Sequence, residues 1–148
     1  MEKEHWGHKE VGYKYATGSR LITPTELDIF CDISGMRVDA FLDDEVAKAL
    51  GAKRRFVPGV FQMALLLGLL WDIGLVADGI FLGTNDAKFN APVYPNDRVR
   101  AEGELLSRRV TSKGDRVVVK YSWFIRNQDD VVVAQGENTC IFPNPERT

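Results

Sequence analysis

Side chains able to move a proton, hold a metal or attack a carbonyl are unevenly spread along this 148-residue chain. The two histidines, His5 and His8, both fall in the polar opening MEKEHWGHKE, so the body of the chain has no imidazole. Two cysteines, Cys31 and Cys140, cannot build a metal cluster alone and read as buried free thiols in a reducing compartment. No metal site is expected. Carboxylates are the remaining acid–base candidates. Asp43 and Asp44 fit the acidic start of a short helix, while Asp32 and Asp86, with Asn85, fit solvated positions or caps. Asp39 is the one loop carboxylate that could act alone as both acid and base, if burial raised its pKa. A second kind of chemistry needs no side chain. Pro58-Gly59 opens the longest apolar run, and the first backbone N–H groups of a helix are unsatisfied, with the helix dipole behind them. Glycine lets a ligand approach closely. Lys53-Arg54-Arg55 comes just before, three adjacent cations suited to phosphate. Arg108, Arg109 and Lys113 form a second basic group that reads as surface charge.

The elements that would position these groups are readable from period and punctuation. Residues 1–10 read as a loosely held leader and 11–22 as an irregular strand. Thr23-Pro24-Thr25-Glu26 is a helix start with a capping box, and Leu27, Phe30 and Cys31 share one face of the helix that follows. Ser34-Gly35 ends it. A short helix is expected from about Asp43 to Leu50, closed by Gly51. The run from about 59 to 74 is apolar on nearly every face, which predicts a helix wrapped by other structure. Segments near 80–90, 98–109, 116–127 and 131–142 read as strands. Val117, Val119, Tyr121, Trp123 and Ile125 alternate with more polar neighbours. Lys113-Gly114-Asp115 and Asn127-Gln128-Asp129-Asp130 read as turns, and three consecutive hairpins are expected. Helices first and strands after give an α+β class: one antiparallel sheet around one buried helix.

Composition narrows the function. The chain is 45% hydrophobic and 27% charged, which describes one globular domain over 1–148. A net charge of −2 argues against nucleic acid as a partner. Val57 to Ala77 is interrupted by Gln62 and Asp72 and is short for a bilayer span, so no membrane span is expected. The charged opening does not read as a signal peptide, and the chain is expected in the cytoplasm.

Three stretches, taken in order and spacing, resemble the MaoC-like dehydratases and (R)-specific enoyl-CoA hydratases of the hot-dog fold. They are ITPTELDIFCDISG, FVPGVFQMALLLGLL and KFNAPVYPNDRVRAEGEL. Asn96 stands where the family's strand turn has Gly, and Asn tolerates φ > 0. The resemblance covers residues 11 to 142. It implies a hot-dog fold, an acyl thioester ligand on CoA or acyl carrier protein, no further cofactor, and reversible addition of water across a 2-enoyl thioester. It also implies a site at a dimer interface. The family's Asp and His, read in S-G-D-x-N-P-x-H, fall on Met36 and Phe41 here, and neither can transfer a proton. By the same resemblance, Gly59 and Val60 would hold the thioester carbonyl. Met36, Phe41 and Phe89 would line the acyl pocket with Phe61 and Met63, and Lys53, Arg54 and Arg55 would face the CoA phosphates. The expectation is a dyad-lacking chain that binds acyl thioester and pairs with a catalytic homologue. The alternatives are a non-catalytic acyl-thioester-binding homodimer and a hot-dog thioesterase.

Overall fold

The computed structural model describes residues 4–147. Helix α1 spans Pro24–Ser34 and closes its own start. Thr23 Oγ1 accepts from the Glu26 N–H at 3.1 Å, and a Glu26 carboxylate oxygen accepts from the Thr23 N–H at 3.0 Å. Gly35 ends it in the left-handed conformation, φ 74°. The short helix expected after it is two: α2, Asp39–Leu42, and α3, Asp44–Ala49. Asp43 caps α3 through the N–H groups of Glu45 and Val46. The long helix, α4, spans Gly59–Asp72.

The strands are β1 (Lys14–Ala16), β2 (Arg20–Leu21), β3 (Ile80–Phe89), β4 (Arg98–Val110), β5 (Arg116–Arg126) and β6 (Val132–Pro143). They pair antiparallel in the order β1-β4-β5-β6-β3, with β2 also on β4. Gly114 (φ 73°) and Asp130 (φ 64°) supply the left-handed residues of the two expected turns, and Asn96 takes φ 76°. Only two of the three expected hairpins form. β3 pairs with β6, not with β4. The reason is occupancy: β1 and β2 cover the free edge of β4, which sends β3 to the far edge of the sheet.

Alternate residues of β5, from Val117 to Ile125, face α4, and together with Leu66 and Leu70 they make the core of the hot-dog fold. Two sequence expectations need correction. Residues 1–3 of the leader lie outside the described residues, but 5–7 are packed rather than loose. Trp6 has no exposed surface and stacks on Tyr121 at 4.9 Å, and its backbone N–H donates to the Leu75 carbonyl at 2.9 Å. One large aromatic ring in a core outweighs its charged flanks, which remain in water. Nor is α4 wrapped all round. Phe61, Leu65, Leu66, Leu69 and Leu70 are buried, whereas Val60, Ala64, Gly68 and Trp71 form an exposed stripe at helical spacing. β3 is an edge strand with Ile80, Phe81, Leu82 and Phe89 exposed.

Candidate functional site

The start of α4 is held from three sides. The Val57 N–H donates to the Val93 carbonyl at 2.7 Å, which fixes the approach to the helix against the loop between β3 and β4. Phe61 stacks on Phe30 of α1, ring centroids 4.5 Å apart. Gly59 lies under Phe89, the last residue of β3: a Cβ placed on Gly59 would come within 2.7 Å of that ring. Glycine is therefore required by close approach here, not by φ. Among the expected pocket residues, Gly59 and Phe89 are in contact.

This helix start has no side-chain cap. Its N-cap is Pro58, which has no side-chain oxygen, and the Pro58 carbonyl accepts from Phe61 and Gln62. The amides of Gly59 and Val60 have no intrahelical partner, as at any helix start. Val60 is half exposed. Two donors backed by a helix dipole can bind a carbonyl oxygen and stabilise charge that develops on it.

The other expected residues sort differently. Met36 is half-buried after the Ser34-Gly35 turn, and its N–H donates to Ser34 Oγ at 3.2 Å. Phe41 is half-buried in α2 and meets Phe56 edge-on at 5.4 Å. Phe41 thus flanks the segment that leads into α4. Asp39 begins α2 and is exposed, whereas a lone acid–base carboxylate needs an apolar enclosure. Asp43 is committed to its cap, and Asp44 accepts from the Arg55 N–H at 2.9 Å.

The three adjacent cations do not act as one group. Arg55 is mostly buried. Its guanidinium pairs with Asp28 at 2.5 Å and donates to the carbonyls of Phe41 and Pro24, which ties α1 and α2 to the segment before α4. Arg54 lies over the Tyr94 ring at 4.6 Å and donates to the Pro95 carbonyl. The Lys53 backbone N–H donates to the Tyr94 hydroxyl, and its side chain has no ion pair among the described residues. The sequence could not show this, because Asp28 and Tyr94 are distant along the chain.

Neither thiol is poised for chemistry. Burial pushes Cys31 up, with Asp28 adding to the effect and Arg55 opposing it. Burial pushes Cys140 up to about 11. A cavity of about 550 Å³, lined by Glu102, Ser122, Phe124, Arg126 and Gln135, opens on the face of the sheet turned away from α4. One polar residue near the helix start escaped the sequence reading. Gln62 is 3% exposed, and its side-chain oxygen has no partner. Its burial depends on the fold, so the sequence carried no signal beyond an amide within an apolar run.

Comparison with known proteins defines the class. A MaoC-like domain matches residues 8–125, and the chain belongs to the MaoC-like dehydratase domain family. The (R)-hydratase of A. caviae, described as involved in PHA biosynthesis, superposes with TM-score 0.76 at 26% identity, covering 91% of this chain and 98% of that one. A monoamine oxidase regulatory protein from Archaeoglobus gives TM-score 0.84 at 21% identity, over 95% and 94%. The HadBC complex of Mycobacterium tuberculosis, a (3R)-hydroxyacyl-ACP dehydratase, gives 0.75 at 17% identity over 88% and 96% of the two chains. No curated protein matches the sequence significantly. Among the described residues no helix is long and apolar enough to cross a membrane.

Proposed function

We propose that this chain is an acyl-thioester-binding subunit of a cytoplasmic MaoC-like hydratase or dehydratase. It lacks the proton-transfer pair and works beside a homologous chain that has one. The uncapped start of α4 carries the proposal. In this reading the Gly59 and Val60 amides take the thioester oxygen of an acyl-CoA or acyl carrier protein. Phe89, Met36 and Phe41 line the acyl path, and no further cofactor is needed. Lys53 is the cation of the preceding triplet best placed for a CoA phosphate, since Arg54 and Arg55 have partners of their own. Met36 and Phe41 stand at the family's Asp and His positions, so the proton must come from elsewhere.

The pairing is supported by two exposed apolar features. The exposed stripe of α4 and the edge strand β3 offer surface that a second hot-dog chain can cover. The HadBC neighbour is itself a complex. The test is enoyl-CoA hydration by the purified chain, alone and mixed with a MaoC-like chain that retains Asp and His. Activity should appear or rise on mixing, with co-elution of the two chains. Robust hydration by the pure chain refutes the missing pair. A homodimer that binds acyl-CoA tightly and never turns it over, with any partner, supports the non-catalytic reading. Release of free CoA from acyl-CoA supports a thioesterase.

A further inference from the structure

We infer that the turn Trp6–His8 is an acid-released strap, held against the sheet by a histidine whose neutral ring caps it. Protonation of His5 frees residues 4–9, and Trp6 with them, while the sheet stays folded.

Residues 6–8 form a single 3₁₀ turn whose N-cap is His5. The His5 Nδ1 accepts from the Gly7 N–H at 3.0 Å, so Nδ1 carries no proton in this bond. The ring is 5% exposed and stacks on Phe142 of β6, centroids 4.8 Å apart and planes within 9° of parallel. It fits so closely that a Cβ placed on Gly7 would come within 2.6 Å of the imidazole. Asn, Asp or Ser would cap such a turn without titrating near neutral pH. A base in that position ties the turn to pH. Besides the Trp6 ring, two hydrogen bonds fasten the turn to the body. The Trp6 backbone N–H donates to the Leu75 carbonyl just past α4, and Arg108 donates to the Gly7 carbonyl at 2.9 Å. The next backbone bond to the sheet comes only at Gly12, whose N–H donates to the Leu105 carbonyl at 2.8 Å.

A proton on Nδ1 turns the acceptor into a donor that faces the Gly7 N–H, and it places a charge where water is excluded. Burial accordingly pushes His5 below its ordinary value of 6.5. His8, whose ring lies 4.5 Å away on the same turn, lowers it further, and Asp78 in the turn after α4 opposes both. The other charged and titratable groups around the strap are engaged elsewhere. Arg108 of β4 is on the Gly7 carbonyl, and Glu4 and Lys9 pair with each other at 3.0 Å. Asp115 and Arg116, where β5 begins, line a shallow cavity with Asp78 and Phe142. Tyr121 of β5 stacks on Trp6, and burial pushes its phenol up. Because the folded-state value of His5 is depressed, the released strap binds the proton more readily. Attachment is therefore complete above about pH 6.5 and fades as pH falls toward the lower folded value.

The test follows hydrogen exchange of the full-length chain by mass spectrometry, with wild type and His5→Asn compared at each pH. Asn keeps a capping oxygen but does not titrate. Relative to the variant, the opening constant of residues 4–12 in the wild type should rise about tenfold between about pH 7 and pH 5, under a ceiling of about thirtyfold set by one proton. Protection of β5 should change equally in both proteins. A constant ratio over that range overturns the inference. So does loss of β5 protection in step with residues 4–12, because the acid effect is then global unfolding. A second measurement needs no variant. Followed by NMR, the His5 ring should titrate below 6.5, and the Gly7 amide resonance should move with it. A His5 ring that titrates at or above 6.5, or a Gly7 amide that does not follow it, overturns the inference, and this titration decides the matter if Asn fails to hold the strap at neutral pH.

Discussion

Two helix starts in this molecule solve the same problem in opposite ways. Each must deal with backbone amides that have no carbonyl one turn earlier. At α1, Thr23 and Glu26 exchange hydrogen bonds, and Arg20 pairs with the same glutamate, so the end is sealed by residues within a few positions of it. At α4 the cap is a proline, the first residue has no side chain, and the fourth leaves an amide oxygen unpaired. The lesson is that α1 is optimised as a structural element, whereas α4 is left incomplete where a ligand carbonyl could complete it. Stability forgone at a definite place is a better pointer to function than an apolar run.

The contrast breaks most severely at Gly59. In Gly59→Val the side chain must displace the Phe89 ring and occupy the approach to the amides. Acyl-CoA affinity should fall by about tenfold or more, about 1.4 kcal/mol. The fold should persist, because no positive φ is involved. Unchanged affinity by calorimetry would remove α4 from the site. Gln62→Met should raise stability by about 1 kcal/mol, since it removes an unpaired buried oxygen and conserves volume. For a chain of this size that is about 3 °C in Tm. A loss of stability would mean that the oxygen already has a partner within the protein.

At α1 the opposite result is expected. Thr23→Ala should cost about 1 kcal/mol by urea unfolding and leave acyl-CoA affinity untouched. Pro58→Ser would import the α1 solution into α4, because Pro58 already has N-cap geometry, φ −60° and ψ 146°. Its hydroxyl would compete for the amides assigned to the ligand and weaken acyl-CoA binding about threefold, about 0.6 kcal/mol. Loss of binding in the Thr23 variant, or none in the Pro58 variant, would erase the distinction between the two ends.

What the sequence revealed divides along the same line. The α1 start was legible because Thr23 and Glu26, which cap it, are three residues apart, and so were the turns at 113–115 and 127–130. The alternation of β5 was legible because one face of the strand is buried. Features that depend on distant partners were not. β3 was assigned a hairpin with β4 because the sequence does not show that β1 and β2 take that edge. Arg55 looked like one of three free cations because Asp28 is 27 residues away. Trp6 was hidden in a polar leader, its aromatic partner Tyr121 lying at the other end of the chain. Gly59 was legible as a helix opener, but its need for a bare α-carbon depends on Phe89. Gln62 looked like an interruption in an apolar helix, and only burial without a partner makes it informative.

The smallest effect concerns pH at the sealed end. Burial alone would push the Glu26 carboxyl up, but the Thr23 N–H and hydroxyl, together with Arg20, outweigh it and hold the group below its ordinary value of 4.5. A depressed folded-state pKa means that the unfolded chain binds the proton more readily. The stabilisation is therefore fully present above about pH 4.5 and fades as pH falls through the lower folded value. Thr23→Ala removes the hydroxyl contribution, so the stability gap between wild type and variant should be widest near pH 7 and narrow below about pH 4.5. The Glu26 N–H bond to Thr23 does not titrate, so a remnant of the gap should persist. Urea midpoints at about pH 7, 5 and 3.5 measure the trend. A gap that stays constant across that range would show that the carboxylate contributes nothing to the cap and that the hydroxyl alone seals α1.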